Sequence, residues 1–145
     1  MPNKMSYDNP FVVSYAFGLH DFAAAALAGA IAVPLGVGRC KIEEIHVSVT
    51  EVFNGVTTNA FVRIGTAGDA DRYAELDMQA AAATDGYGIA DAPAAATPLK
   101  DIGQGGDGVV DIATEAITQL EVVTVQNTGG TPTGIGYLTV VVAWW

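Results

Sequence analysis

The sequence predicts an all-β protein, a jelly-roll-like two-sheet β-sandwich of about eight antiparallel strands, and three observations lead there. Residues 40–53 alternate apolar and polar side chains, with Ile45, Val47 and Val49 on one face and His46, Ser48 and Thr50 on the other. A period of two over β-branched residues specifies a half-buried strand. Asn54-Gly55 ends that run, and Asn59-Ala-Phe-Val-Arg-Ile-Gly65 begins another. About eight such short runs, most of them separated by turn residues, occupy the chain, and eight strands in one domain of this size most often form a jelly roll or a similar sandwich.

Taken in order, residues 1–10 are polar with Pro2 and Pro10 near the ends and read as an N-terminal arm. Residues 11–145 follow as a single β-sandwich domain. Its first strand is expected at residues 11–17. Residues 22–33 carry alanines that favour helix, but Ile31-Ala-Val33 before Pro34 looks like strand, and strand is preferred because both neighbours are strands. Residues 34–38 form a turn, and strands are expected at 42–53, 59–65 and 73–78. Residues 79–98 are rich in alanine, glycine and proline. Twenty residues are long for a connection inside a compact domain and point to an interface loop. A short strand is expected at 109–112. Residues 117–127 form a strand whose phase slips at Val122-Val123, where a β-bulge would restore the facing. The last strand, 135–144, places Leu138, Val140, Val142 and Trp144 on one face.

Length and charge bound the rest. A 145-residue chain of 14.9 kDa buries ~68% of its extended surface and needs no metal or disulfide to hold a core. Charged residues make up only 15% of it and mean hydropathy is +0.34, so part of the surface is expected to be covered by neighbouring subunits. Sixteen acids against six bases give a net charge of −10, and nine of the acids fall between Asp69 and Asp111. That stretch repels phosphate backbones and anionic lipid, so neither nucleic acid nor membrane is an expected partner. Only Arg39 and Lys41 sit close together among the bases. The apolar run at 22–35 is too short to span a bilayer, residues 1–10 lack a signal peptide's apolar region, and the single Cys40 excludes an intrachain disulfide.

Residues that could carry chemistry have simpler readings. Gly103, Gly105 and Gly108 match a dinucleotide-binding glycine pattern, but the motif needs a strand before it and a helix after it. Val109-Val-Asp-Ile112 reads as strand instead. Asp69, Asp71 and Asp77 could offer oxygen ligands to calcium, but their spacing fits no EF-hand loop, and a solvated acidic turn is expected. His20-Asp21 and His46 supply the two histidines. Ser6, Ser14 and Ser48 lie in no nucleophile elbow, although His46 and Ser48 share a strand face. Trp144 is expected in the core and Trp145 on the opposite side, available to a subunit contact. No catalytic residue, cofactor or metal is expected, and the protein is not expected to be an enzyme.

The order of segments resembles the small structural proteins of tailed-phage heads. An alanine-rich segment ends in Val33-Pro34. Residues 38–51 (Gly-Arg-Cys-Lys-Ile-Glu-Glu-Ile-His-Val-Ser-Val-Thr-Glu) and 56–69 (Val-Thr-Thr-Asn-Ala-Phe-Val-Arg-Ile-Gly-Thr-Ala-Gly-Asp) follow, and Thr139-Val-Val-Val-Ala-Trp144 closes the chain. The resemblance covers roughly residues 10–145 and is to capsid decoration (cement) proteins and minor virion proteins. It implies a non-enzymatic β-rich protein, a homotrimer, that binds the major capsid protein on the outer capsid surface and stabilises the shell, after being made in the host cytoplasm. Another virion component, a tail or fibre part, is the alternative. A carbohydrate-binding β-sandwich is a further one, for which Tyr73, Tyr87, Tyr137 and Trp145 are the candidate aromatics.

Overall fold

A computed structural model describes residues 10–24, 28–54, 60–78, 109–125 and 133–145. The expected arm at 1–10 apart from Pro10, the Asn-Gly turn beyond Asn54, the whole loop at 79–98 and the glycine run at 103–108 lie outside them. Eight strands are present among the described residues: β1 Phe11–Asp21, β2 Ala28–Ala32, β3 Arg39–Asn54, β4 Phe61–Thr66, β5 Asp69–Asp77, β6 Val109–Asp111, β7 Gln119–Val125 and β8 Thr133–Trp144, with one helical turn, α1 Ile112–Glu115, between β6 and β7.

The strands form two four-stranded sheets, ordered β1-β8-β3-β6 and β2-β7-β4-β5. Every pairing is antiparallel. Successive strands cross from sheet to sheet except at the β4–β5 hairpin, and this two-sheet, eight-strand winding is the jelly roll. The sheets are stacked with β1 over β2, since the Phe17 ring stands 2.6 Å from where a Cβ on Gly29 would lie. At the other side α1 reaches β5 through Glu115, which accepts hydrogen bonds from Arg72 and Tyr73.

Alternation decides what enters the space between the sheets. Ile45, Val47 and Val49 of β3 are buried, as are Leu138, Val140, Val142 and Trp144 of β8, while His46, Ser48 and Thr50 point away. Val62, Ile64, Leu76, Leu120 and Val122 answer from the second sheet. Each such aliphatic side chain contributes ~1.5–3 kcal/mol on full burial. Trp144 is wholly enclosed and its indole Nε1 donates to Tyr15 Oη at 3.1 Å, which satisfies the one polar atom that burial would strand.

Several boundaries differ from expectation, each for a local reason. β1 continues past residue 17 because Phe17 is the extra residue of a bulge. Pairing passes from Ala16↔Thr139 to Gly18↔Leu138, with Gly18 at φ 84°. Residues 22–33 are not one strand. Phe22 buries its ring 5.2 Å from that of Phe53 while residues 22–24 turn, held by Phe22 N donating to the Gly134 carbonyl and Ala23 N donating to Asp21 Oδ1. The acidic turn is also shorter than expected: Ala67-Gly68 alone turns, and Asp69 and Asp71 already belong to β5. The expected bulge at Val122-Val123 is absent, since β7 pairs residue for residue with both neighbours. Thr124 instead takes the inward position and is buried. α1 replaces the end of the short strand because Asp111 caps it, its Oδ1 accepting from Thr114 N at 2.9 Å.

Candidate interaction surfaces

Among the described residues, those singled out for chemistry stand apart from one another. His46 and Ser48 do share the outward face of β3, opposite Thr139 and Tyr137 of β8, but no hydrogen bond joins them among the described residues. His20 and Asp21 face opposite ways. Asp21 holds the turn that follows, whereas His20 lies edge-on to Phe22, ring centroids 6.5 Å apart. Both imidazole nitrogens of His20 are buried with no hydrogen-bond partner among the described residues. Burial therefore holds its pKa below the ordinary value, the Phe17 backbone partly opposing that shift.

Burial also pushes the Cys40 thiol up to about 12, so it is a packed apolar side chain and not a nucleophile. Asp69 stands 3.9 Å from Arg72 Nη1. Among the described residues, no group of three or more His, Cys, Asp or Glu side chains is placed to hold a metal ion. Of the four aromatics that suggested sugar binding, Tyr87 lies outside the described residues, Tyr73 is buried, Trp145 is half-buried and Tyr137 is exposed. Trp145 is pinned through its backbone to the start of β3 by hydrogen bonds with Gly38 and Arg39.

What the structure does assemble on one flank is ionic. Arg72 grips Glu115 in a two-pronged pair, Nε to Oε2 at 2.7 Å and Nη2 to Oε1 at 3.0 Å, and the Tyr73 hydroxyl donates to Oε2 at 3.2 Å. Such fork-on-carboxylate geometry is among the stronger protein hydrogen bonds. It raises the Arg72 pKa, and burial together with the Glu115 carboxylate pushes the Tyr73 phenol up to about 12. Nothing in the sequence announces a pair separated by 43 residues. Arg63 pairs with Glu75 directly opposite on β5, at 2.7 Å, and its guanidinium lies over the Phe61 ring. Arg39 stands 4.0 Å from Asp111, its partner across the β3–β6 pair. Three of the six basic residues are thus each matched with a carboxylate.

The opposite flank carries no charge until its end. β1 is an edge strand of eleven residues, and from Phe11 to Leu19 it contains no ionisable acid or base except Tyr15. Its outward side chains, Val12, Ser14, Ala16 and Leu19, lie beside Ala143, Val141, Thr139 and Tyr137 of β8. Val12, Leu19 and Tyr137 are each more than half exposed. β2, the edge stacked on β1, reads Ala-Gly-Ala-Ile-Ala. An exposed, largely apolar strip in a chain poor in charge is a candidate interaction surface. The sequence signalled it only as an overall excess of apolar residues, because it takes the strand order to place β1 at an edge and Tyr137 next to Leu19.

Comparison with protein-family models, with curated proteins and with solved structures finds no match to this chain.

Proposed function

We propose that this protein is a non-enzymatic structural component of a tailed-phage virion, a decoration protein that binds the outer capsid surface and reinforces the shell. Its partners on this reading are the major capsid protein and further copies of itself. The observation that carries it is the uncharged outward strip of β1 and β8, set on a jelly roll whose histidines, serines and acids are not arranged for catalysis among the described residues. Jelly rolls serve both viral capsids and lectins. Tyr73 is buried and does not offer its ring to a sugar, which counts against the lectin reading.

The mechanism is linkage. A protein that binds the assembled lattice and not the free subunits stabilises the lattice by RT ln(1 + [L]/Kd), about 2.7 kcal/mol per site at a hundredfold excess over Kd. Attachment through apolar area resists salt, whereas attraction between surface charges weakens as the Debye length falls from about 10 Å at 0.1 M to about 3 Å at 1 M.

Mass spectrometry of virions purified from a lysate that expresses the chain tests the reading. The chain is expected in heads separated from tails, in an amount comparable with the major capsid protein, and it stays there when salt is raised from ~0.1 to ~1 M. Recovery only outside the particles, or only in tails, overturns the capsid assignment. Quantitative release by salt overturns the apolar contact.

A further inference from the structure

The four sheet edges are not protected alike. An edge strand offers a row of unpaired N–H and C=O groups to any chain that can align with it, and natural proteins blunt such edges with charge, brevity, bulges or a covering element. β5 carries Asp69, Asp71, Arg72 and Glu75 along its length. β6 has three residues and runs straight into α1. β2 has five. β1 has eleven, and its one blunting device is the bulge at Phe17. Ahead of that bulge, Phe11 to Ala16 pairs with β8 without interruption on one side and has no strand partner on the other among the described residues.

We propose that β1 is a pairing edge for a second copy of this chain, aligned antiparallel about a two-fold axis perpendicular to the sheet, so that two four-stranded sheets become one continuous sheet. Three arguments select this occupant. The first is charge. With a net charge of −10, two copies repel over most of their surfaces, and the Phe11 to Leu19 edge is where identical molecules meet without opposing like charges.

The second is symmetry. An antiparallel strand is its own complement under a two-fold axis, so the contact closes at two copies and leaves neither β1 edge open. A trimer would need β1 to pair head-to-tail with another edge, and those of β2 and β6 are short, while those of β5 and of β3 beyond Lys41, open on the β6 side among the described residues, carry charge.

The third is register. With the axis perpendicular to the sheet, inward residues must face inward residues, so the two paired residue numbers sum to an even number. Ser14 is the midpoint of Phe11 to Phe17, the run that reaches the bulge. Pairing about Ser14 sets Val12 against Ala16 on the outward face and Val13 against Tyr15 on the inward face. The second is a β-branched–aromatic pair of the kind that stabilises cross-strand contacts. The pairing stands apart from the virion reading and is tested without any particle.

Sedimentation equilibrium of the full chain at micromolar concentration is expected to give twice the 14.9 kDa chain mass. Ser14→Lys, an exposed outward position, is expected to raise the dissociation constant at least tenfold, because two lysines then meet at the axis. Ala113→Lys, exposed on α1 at the far flank, is expected to leave it unchanged. Ser14→Cys is expected to cross-link to a covalent dimer under mild oxidation, since facing strand residues come within disulfide reach. Cys40 is wholly buried and does not compete. A mass of one chain, a trimer or a spread of larger species overturns the proposal. So does an association that Ser14→Lys leaves unmoved, or a dimer that Ser14→Cys fails to link.

Discussion

The two flanks of this sandwich solve the same problem in opposite ways. On the β5–α1 flank, acidic residues are accepted at a sheet edge and then tied down: Arg72 crosses from β5 to Glu115 on α1, and Arg63 sits against Glu75. On the β1–β2 flank the edge carries no charge until Asp21, and the strands are held by packing, with the Phe17 ring over Gly29 and Tyr15 Oη accepting from the buried Trp144. The charged flank is closed to a neighbour by its own side chains. The neutral flank is stable within the monomer yet leaves its outer edge unspent. On the β5–α1 flank charges are paired across elements, and the β1 edge, left uncharged, is where association is proposed.

The largest expected effect falls on the charged flank, at the turn that starts β5. Gly65 lies in the bulge between the Ile64↔Ala74 and Thr66↔Asp69 pairs, and a Cβ there would overlap the Asp69 carbonyl oxygen and the Ala70 carbonyl group. Backbone cannot swing aside as a side chain can, so Gly65→Ala is expected to cost about 3 kcal/mol, a fall in Tm of about 10 °C for a chain of this length. Gly68, three residues on, has open space around it, and Gly68→Ala is expected to stay within about 0.5 kcal/mol of the parent. Equal effects at the two glycines, read by thermal unfolding, would dissolve the distinction.

Next comes the tie itself. Arg72→Ala leaves the Glu115 carboxylate, 8% exposed, with Tyr73 as its remaining partner in that cluster. Hydrogen bonds to charged groups are worth about 1.5–3 kcal/mol. Because the Arg72 side chain is itself 40% exposed, solvent screens the pair and the loss is expected to be smaller than that of Gly65→Ala. Arg72→Lys keeps the charge but loses the fork, and is expected to recover part of the loss. Urea midpoints at unchanged m-value measure both. Full recovery by lysine would show that charge alone, not two-pronged geometry, holds α1 to β5.

How legible these flanks were in the sequence follows from which physics sets them. The faces of β3 and β8 were legible, because alternation is local: Ile45, Val47 and Val49 went inward and Trp144 went to the core as their parity required. So was the eight-strand sandwich. Boundaries failed where one residue changes parity without changing composition. Phe17 inserts a bulge and lets β1 run on to Asp21, while Thr124 goes inward and spares β7 the bulge its apolar pattern suggested. The cap on α1 was legible in principle, since Asp111 stands three residues before Thr114, but a four-residue helix leaves no periodicity to find. The Arg72–Glu115 pair and the edge position of β1 depend on strand order, which long-range pairing decides and which no short stretch of chain encodes.

The smallest expected effect belongs to the neutral flank and separates the two by pH. His20, near the end of β1, has both ring nitrogens enclosed without partners among the described residues, and burial holds its pKa below the ordinary 6.5. The groups about it are Phe22, the Phe17 backbone and Gly136, and the neighbouring Asp21 carboxylate is engaged with Ala23 N. Below pH 6.5 the unfolded chain takes up a proton that the folded chain refuses. Stability is therefore whole above that pH and is lost as pH falls through it toward the folded-state value. On the other flank the Asp111 carboxyl is held below its ordinary 3.8, first by the Thr114 backbone N–H. Its contribution is present above 3.8 and is lost only as pH falls below that. Unfolding free energies measured between pH 7.5 and 5.5 thus report the neutral flank. The parent is expected to weaken over this range, and His20→Leu, which carries no proton to bind, is expected to follow a flatter curve. A parent and variant that fall in parallel would place the titrating group elsewhere and show that the His20 imidazole accepts its proton as readily folded as unfolded.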